Sequence, residues 1–180
     1  SSARINGNLT DPGTSTPTIR IYWGTSDGGA SAIAWSNTSD LGTQANAGEF
    51  FSDLSGLLPN TAYFFRAYGT NAEGDDWAPA SQTFTTPAAA PSVQNVAAIG
   101  VTGTSATIGG TITSTGGEAP NLVIHYGDND AGTGTWDSQL ALGLQSGSAS
   151  DGISGLNPST TYCFRAAATN SAGTTWSTTS

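Results

Sequence analysis

His125 and Cys163 are the single histidine and single cysteine of the chain. With Arg165 they are the residues whose types could support nucleophilic chemistry. A thiol attacks only when a nearby base takes its proton, and that base works only when a third group orients it. On the alternation of the surrounding sequence, His125, Cys163 and Arg165 fall on one outward face. No orienting carboxylate or oxyanion donor accompanies them in this pattern. Gly-x-Ser-x-Gly and Gly-rich phosphate-cradling motifs are absent from the sequence. The expectation is a set of cross-strand surface neighbours on a chain that is not an enzyme.

Carboxylates gather in two turns, Glu73, Asp75 and Asp76 in one and Asp128 and Asp130 in the other. An Asp-x-Asp turn can hold Ca²⁺ through carboxylate and carbonyl oxygens. The two turns are not equivalent and neither carries a full ligand loop, so solvated acidic turns are expected. Ca²⁺ is the one cofactor worth testing. Asn8-Leu9-Thr10 and Asn37-Thr38-Ser39 match the glycosylation acceptor pattern. Asn8 falls in an expected strand and Asn37 in an expected loop, which makes Asn37 the better acceptor.

The elements that position these residues must come from an unusual composition. Charged residues are 9% of the 180, with no lysine, and the formal net charge is −9. Such a surface repels phosphate backbones, and four arginines cannot neutralise a nucleic-acid footprint. Anionic membranes are disfavoured for the same reason, and no apolar run is long enough to cross a bilayer. Abundant Gly, Ser and Thr suit strands and turns, and regularly spaced aromatics suit small anchored cores. A chain that opens Ser1-Ser2-Ala3 reads as a processed product or a window from a longer protein.

An internal repeat organises the chain. Ser55-Gly56-Leu57-Leu58-Pro59-Asn60-Thr61-Ala62-Tyr63-Phe64-Phe65-Arg66-Ala67 returns 99 residues later as Ser154-Gly155-Leu156-Asn157-Pro158-Ser159-Thr160-Thr161-Tyr162-Cys163-Phe164-Arg165-Ala166. Upstream the offset is 103, pairing Ile5 and Gly7 with Ile108 and Gly110, and Trp23 with Tyr126. In the middle it is 101, pairing Trp35 with Trp136. Alternation then predicts strands with inward sets Ile5, Gly7 and Leu9; Ile19, Ile21 and Trp23; and Tyr63, Phe65 and Ala67. The expected organisation is a module over residues 1–86, a stiff Pro-Ala linker over 87–91, and a second module over 92–180.

Leu57-x-Pro59-x-Thr61-x-Tyr63-x-Phe65-Arg66, repeated as Leu156-x-Pro158-x-Thr160-x-Tyr162-x-Phe164-Arg165, resembles the tyrosine-corner signature of fibronectin type III modules. That resemblance implies two antiparallel β-sandwiches of the fibronectin type III/immunoglobulin-like kind. The family places a Trp on its second strand, where this chain has Gly7 and Gly110. Bulk moves to Trp23 and Tyr126, as in divergent bacterial modules of secreted and surface repeat proteins. Module one begins at its second strand, and module two stops where its last strand should begin. A window from a tandem array accounts for both ends. So does a subunit whose missing strands come from neighbours.

Arg20, Tyr22, Phe64, Arg66 and Tyr68 form an expected outward stripe, the candidate surface for a neighbouring protein or a glycan. Trp77 and Trp176 begin the last strands, and Trp35 and Trp136 lie in loops. Each is expected to cover an open end of its sandwich. The functional expectation is a structural repeat of an extracellular or cell-surface fibre, stalk or adhesin, contacting copies of itself or neighbouring repeats. The alternative is a carbohydrate-binding or spacer module of a secreted polysaccharide-active enzyme.

Overall fold

The computed structural model describes residues 1–178. The chain divides into two units, Ser1–Pro87 and Ala88–Ser180. In each, β-branched and aromatic residues alternating with polar ones bury one face of the central strands, and Gly- and Asp-rich turns reverse the chain between strands.

Unit 1 holds β1 (Ala3–Leu9), β2 (Thr18–Gly24), β3 (Asn37–Thr43), β4 (Gly48–Leu54), β5 (Ala62–Asn71), β6 (Gly74–Trp77) and β7 (Gln82–Thr85). β1 and β4 pair as a two-stranded sheet. Facing it is the five-stranded sheet β3-β2-β5-β6, in which β7 also pairs with β5. The core between them is Ile5, Ile21, Leu54, Leu57 and Tyr63, flanked by Trp23, Phe50, Phe65 and Phe84. Ile5 is buried between exposed Arg4 and Asn6, the half-buried alternation expected of this strand.

Unit 2 holds β8 (Ser92–Ile99), β9 (Ser105–Ser114), β10 (Asn121–Gly127), β11 (Ser138–Leu144), β12 (Ser148–Ser154), β13 (Cys163–Asn170) and β14 (Gly173–Trp176). Its sheets run β12-β9-β8 and β11-β10-β13-β14. Val93, Ile108, Ile112, Leu122, Ile124, Ile153 and the alanines 166 and 168 form its core.

The two units differ by a strand at each side. β8 pairs with β9, whereas β1 has no second partner among the described residues. β7 pairs with the first residues of β5, and no described strand does so for β13. β5 accordingly starts at Ala62, while the equivalent of its first two residues, Thr161 and Tyr162, is not in strand. A strand end holds its extended geometry only where its hydrogen bonds are taken up.

Three expectations need correction. Residues 88–91, expected as part of a stiff linker, are tied into unit 2: Ala89 N–H donates to Gly116 O at 2.8 Å, and Pro91 is fully buried. Gly116 is required there, because its φ is +68° and a Cβ would lie 1.8 Å from the Ala89 carbonyl oxygen. Asn37 is the first residue of β3, paired with Trp23, rather than a loop residue. Trp77 and Trp176 do not close the ends of the sandwiches. Each packs on an outer sheet face.

Candidate functional site

Register sets the outer face of the unit 1 sheet. Arg20 lies opposite Tyr68, Tyr22 opposite Arg66, and Gly24 opposite Phe64. Even-numbered positions of β2 thus share a face with even-numbered positions of β5, and the expected stripe is brought together. Trp77, opposite Tyr68, joins it from β6. Its ring lies 5.0 Å from Tyr22 and 4.8 Å from Tyr68, and Tyr22 meets Tyr68 edge-on at 5.9 Å.

This packing changes what the stripe can do. Tyr22 is only 9% exposed, so it is a covered element of the cluster and not a contact residue. Arg66 turns inward along the chain. Its Nε donates to Ala78 O at 2.7 Å and a terminal nitrogen to Pro79 O at 3.1 Å, which pins the break between β6 and β7. Arg20 pairs with Asp40 at 3.0 Å. The Arg66 guanidinium also sits 5.9 Å from the Trp77 ring.

In unit 2 the same positions read Val123, His125, Cys163, Arg165 and Ala167. His125 and Arg165 are opposite each other in the ladder, as the alternation predicts. His125 packs against Trp176 at 4.8 Å, and burial lowers its pKa, favouring the neutral ring. Arg165 pairs with Asp130 at 3.1 Å and donates to Ser177 O at 3.2 Å. The Asp130 carboxylate therefore engages the arginine.

The acidic turns are occupied by local bonding. Asp130 Oδ1 accepts from Gly132 N at 2.8 Å, and Asp76 Oδ1 accepts from Trp77 N at 2.9 Å. Among the described residues, no group of three or more His, Cys, Asp or Glu side chains is arranged to hold a metal ion. Asp75 lies in β6 opposite Thr70, and Asp128 N–H donates to Asp137 at 3.3 Å. Asn8 and Asn37 are both exposed.

The feature the repeat reproduces most faithfully is the turn before β5 and β13. Leu58 N–H donates to the Tyr63 hydroxyl at 3.0 Å, and Asn157 N–H donates to the Tyr162 hydroxyl at 3.1 Å. Asn60 and Ser159 take left-handed φ values of 46° and 56° at the same point of the two turns. The Thr61 and Thr160 hydroxyls donate to Pro59 O and Pro158 O. This corner, together with facing sheets of order β1-β4 and β3-β2-β5, decides the architecture. The fold is fibronectin type III-like.

No protein-family model matches the chain, and no curated protein matches it. Among solved structures it is similar to the FN1-FN3 domains of chicken CNTN1, at 15% identity and a TM-score of 0.37. That match covers 91% of this chain and 55% of the other, so the chain spans about half of the length of that structure. The assignment of fold rests on the strand order and the tyrosine corner.

One side chain was missed by sequence reasoning. Asn95 in β8 donates to Phe164 O at 3.1 Å and accepts from Ala166 N at 2.9 Å and from the Ser177 hydroxyl at 2.8 Å. It stitches one sheet of unit 2 to the other. Its signal was a polar residue in inward phase with Val93, a position where an apolar side chain is the default.

Proposed function

We propose that this chain is a non-catalytic structural repeat of an extracellular or cell-surface fibre, stalk or adhesin, of the divergent bacterial fibronectin type III-like kind. The observation that carries the reading is a contrast between the two units. The corner hydrogen bonds recur at 3.0 and 3.1 Å, and so does the arginine that grips the chain just after β6 and β14. The outer face does not recur: Tyr22 and Tyr68 are replaced by His125 and Ala167. What is kept between copies is scaffold, while the surface that would recognise a ligand is free to change. That is the economy of a unit selected for length and neighbour contact. Low charge and the absence of lysine suit a protein exposed to proteases that cut after basic residues.

Immunogold labelling of intact producing cells, alongside the denatured mass of the native polypeptide, tests this. Label on envelope-attached fibres, with a mass well above 18.1 kDa, is the expected result. Label confined to the cell interior would overturn it.

A further inference from the structure

The outer face of the unit 1 sheet carries a row of side chains that crosses neighbouring strands. Arg20 of β2 lies opposite Tyr68 of β5, and Tyr68 lies opposite Trp77 of β6. Tyr22 packs against both rings, 5.9 Å from Tyr68 and 5.0 Å from Trp77, and is itself covered. Tyr68 and Trp77 stay half-exposed. They are held in place before any ligand arrives, so ordering them costs little on binding.

Arg20 stands apart from the other arginines. Arg4, Arg66 and Arg165 each give Nε and a terminal nitrogen to protein acceptors. Arg20 is held through Nε alone, by Asp40 Oδ2 at 3.0 Å. Its side chain is 34% exposed, and its two terminal nitrogens have no acceptor among the described residues. A planar fork of donors is thus open beside the Tyr68 ring, with its charge already balanced by Asp40. The next row of the face sets Thr18 opposite Thr70, adding hydroxyls that donate and accept.

These features select the partner. The centre of a protein interface is a broad apolar patch, whereas the apolar surface here is two rings bordered by an ion pair and hydroxyls. An anion gains little from an arginine that has its counter-charge, on a chain of net charge −9. A pyranose ring with equatorial hydroxyls fits the pattern, because it joins an apolar C–H face to a rim of hydroxyls.

We infer that this row is a binding site for a neutral glycan of such rings. The sugar C–H face lies on Trp77 and Tyr68, and the Arg20 fork donates to two adjacent sugar oxygens. Unit 2 shows the same scaffold without the site. Trp176 keeps the place of Trp77, but Val123 and Ala167 replace Arg20 and Tyr68, and His125 lies against the indole at 4.8 Å. The site belongs to unit 1 alone and goes beyond what the repeat preserves.

The probes are cellohexaose and xylohexaose, titrated into the 180-residue chain and followed by amide and indole NMR. The expected result is saturable binding of at least one of them, with shifts at Arg20, Tyr68 and Trp77 and none at Trp176. Arg20→Gln keeps the rings and removes the fork, and should weaken binding about tenfold. Trp77→Ala should abolish binding, and Trp176→Ala should leave it unchanged. No binding of either sugar, equal binding by Arg20→Gln, or binding of tetragalacturonic acid alone would overturn the proposal. So would shifts at these residues on raising the protein concentration without sugar, which would give the face to a second copy. A failed localisation experiment on cells would leave this result standing, and the reverse also holds.

Discussion

The Tyr63 hydroxyl accepts the Leu58 backbone N–H at 3.0 Å, with the ring buried beneath Phe84 at 5.5 Å in a stacked arrangement. Ring and hydroxyl do different work. The ring fills the core, and the hydroxyl gives a turn N–H a fixed, partly buried partner.

Tyr63→Phe separates the two roles by keeping the ring and deleting the acceptor. Unit 1 should lose about 1–3 kcal/mol, the usual cost of stranding a partly buried donor. Tyr162→Phe should cost less in unit 2, because Tyr162 is half-buried where Tyr63 is buried, so water more readily takes the place of its hydroxyl. Urea unfolding of the two variants, read separately through the signals of each unit, checks the order. An equal loss would mean that the corner hydrogen bond is insensitive to its surroundings.

Phe84→Ala removes the aromatic side chain that β7 contributes to the core, where it lies against both Tyr63 and Phe65. Loss of a partly buried aromatic costs roughly 3 kcal/mol. Unit 2 gives a picture of the result. There, among the described residues, no strand pairs with the start of β13, Tyr162 is only half-buried, and a cavity of about 160 Å³ opens between Tyr162, Leu156, Ile153 and Phe164. In the variant, amide exchange should quicken at Ala62 and Tyr63 well before it does at Ala67. Uniform acceleration along β5 would contradict a local role for β7.

Much of this was legible because a period of two is hard to disguise. Ile5, Ile19, Ile21 and Tyr63 are buried as alternation requires, and Arg20, Tyr22, Arg66 and Tyr68 do share a face. The errors fall where a third element intervenes. Tyr22 is outward yet covered, because Trp77 arrives from β6, and the side taken by β6 depends on the break that Arg66 pins. Residues 88–91 read as a spacer by composition, but Gly116 offers a site only where backbone can approach backbone. Pairings between distant segments leave no period in the sequence.

The glycines of the second strand make a sharper case. A Cβ on Gly110 would lie 2.9 Å from the Ala166 Cβ and 3.2 Å from Gln94 O, so both sheets would have to give way. A Cβ on Gly7 would meet the outer end of the Phe50 ring, which can swing aside. Gly110→Ala should therefore cost about 1–3 kcal/mol, the range for overpacking a filled core. Gly7→Ala should cost less. Thermal melts of the two variants decide it, and a larger loss for Gly7→Ala would show that Phe50 is held rigidly.

Acid should act on unit 1 through four carboxylates whose pKa values lie below the ordinary range. Asp27 is held down chiefly by the Ser81 hydroxyl, Asp40 by the Gly42 N–H and then Arg20, Asp53 by Arg4, and Glu73 by the hydroxyls of Ser15 and Thr14. In each the folded state favours the charged form, so the stabilisation is complete above the unfolded carboxylate range. It is lost as pH falls through the lowered folded values. The melting temperature of unit 1 should be level from neutrality down to about pH 5 and decline below about pH 4. All four groups are exposed, so the decline should be modest, and the part owed to Arg4 and Arg20 should shrink in high salt. Melts at low and high NaCl across this range test both statements. A melting temperature that rises on acidification below pH 4 would show that repulsion within the net charge of −9 outweighs these bonds.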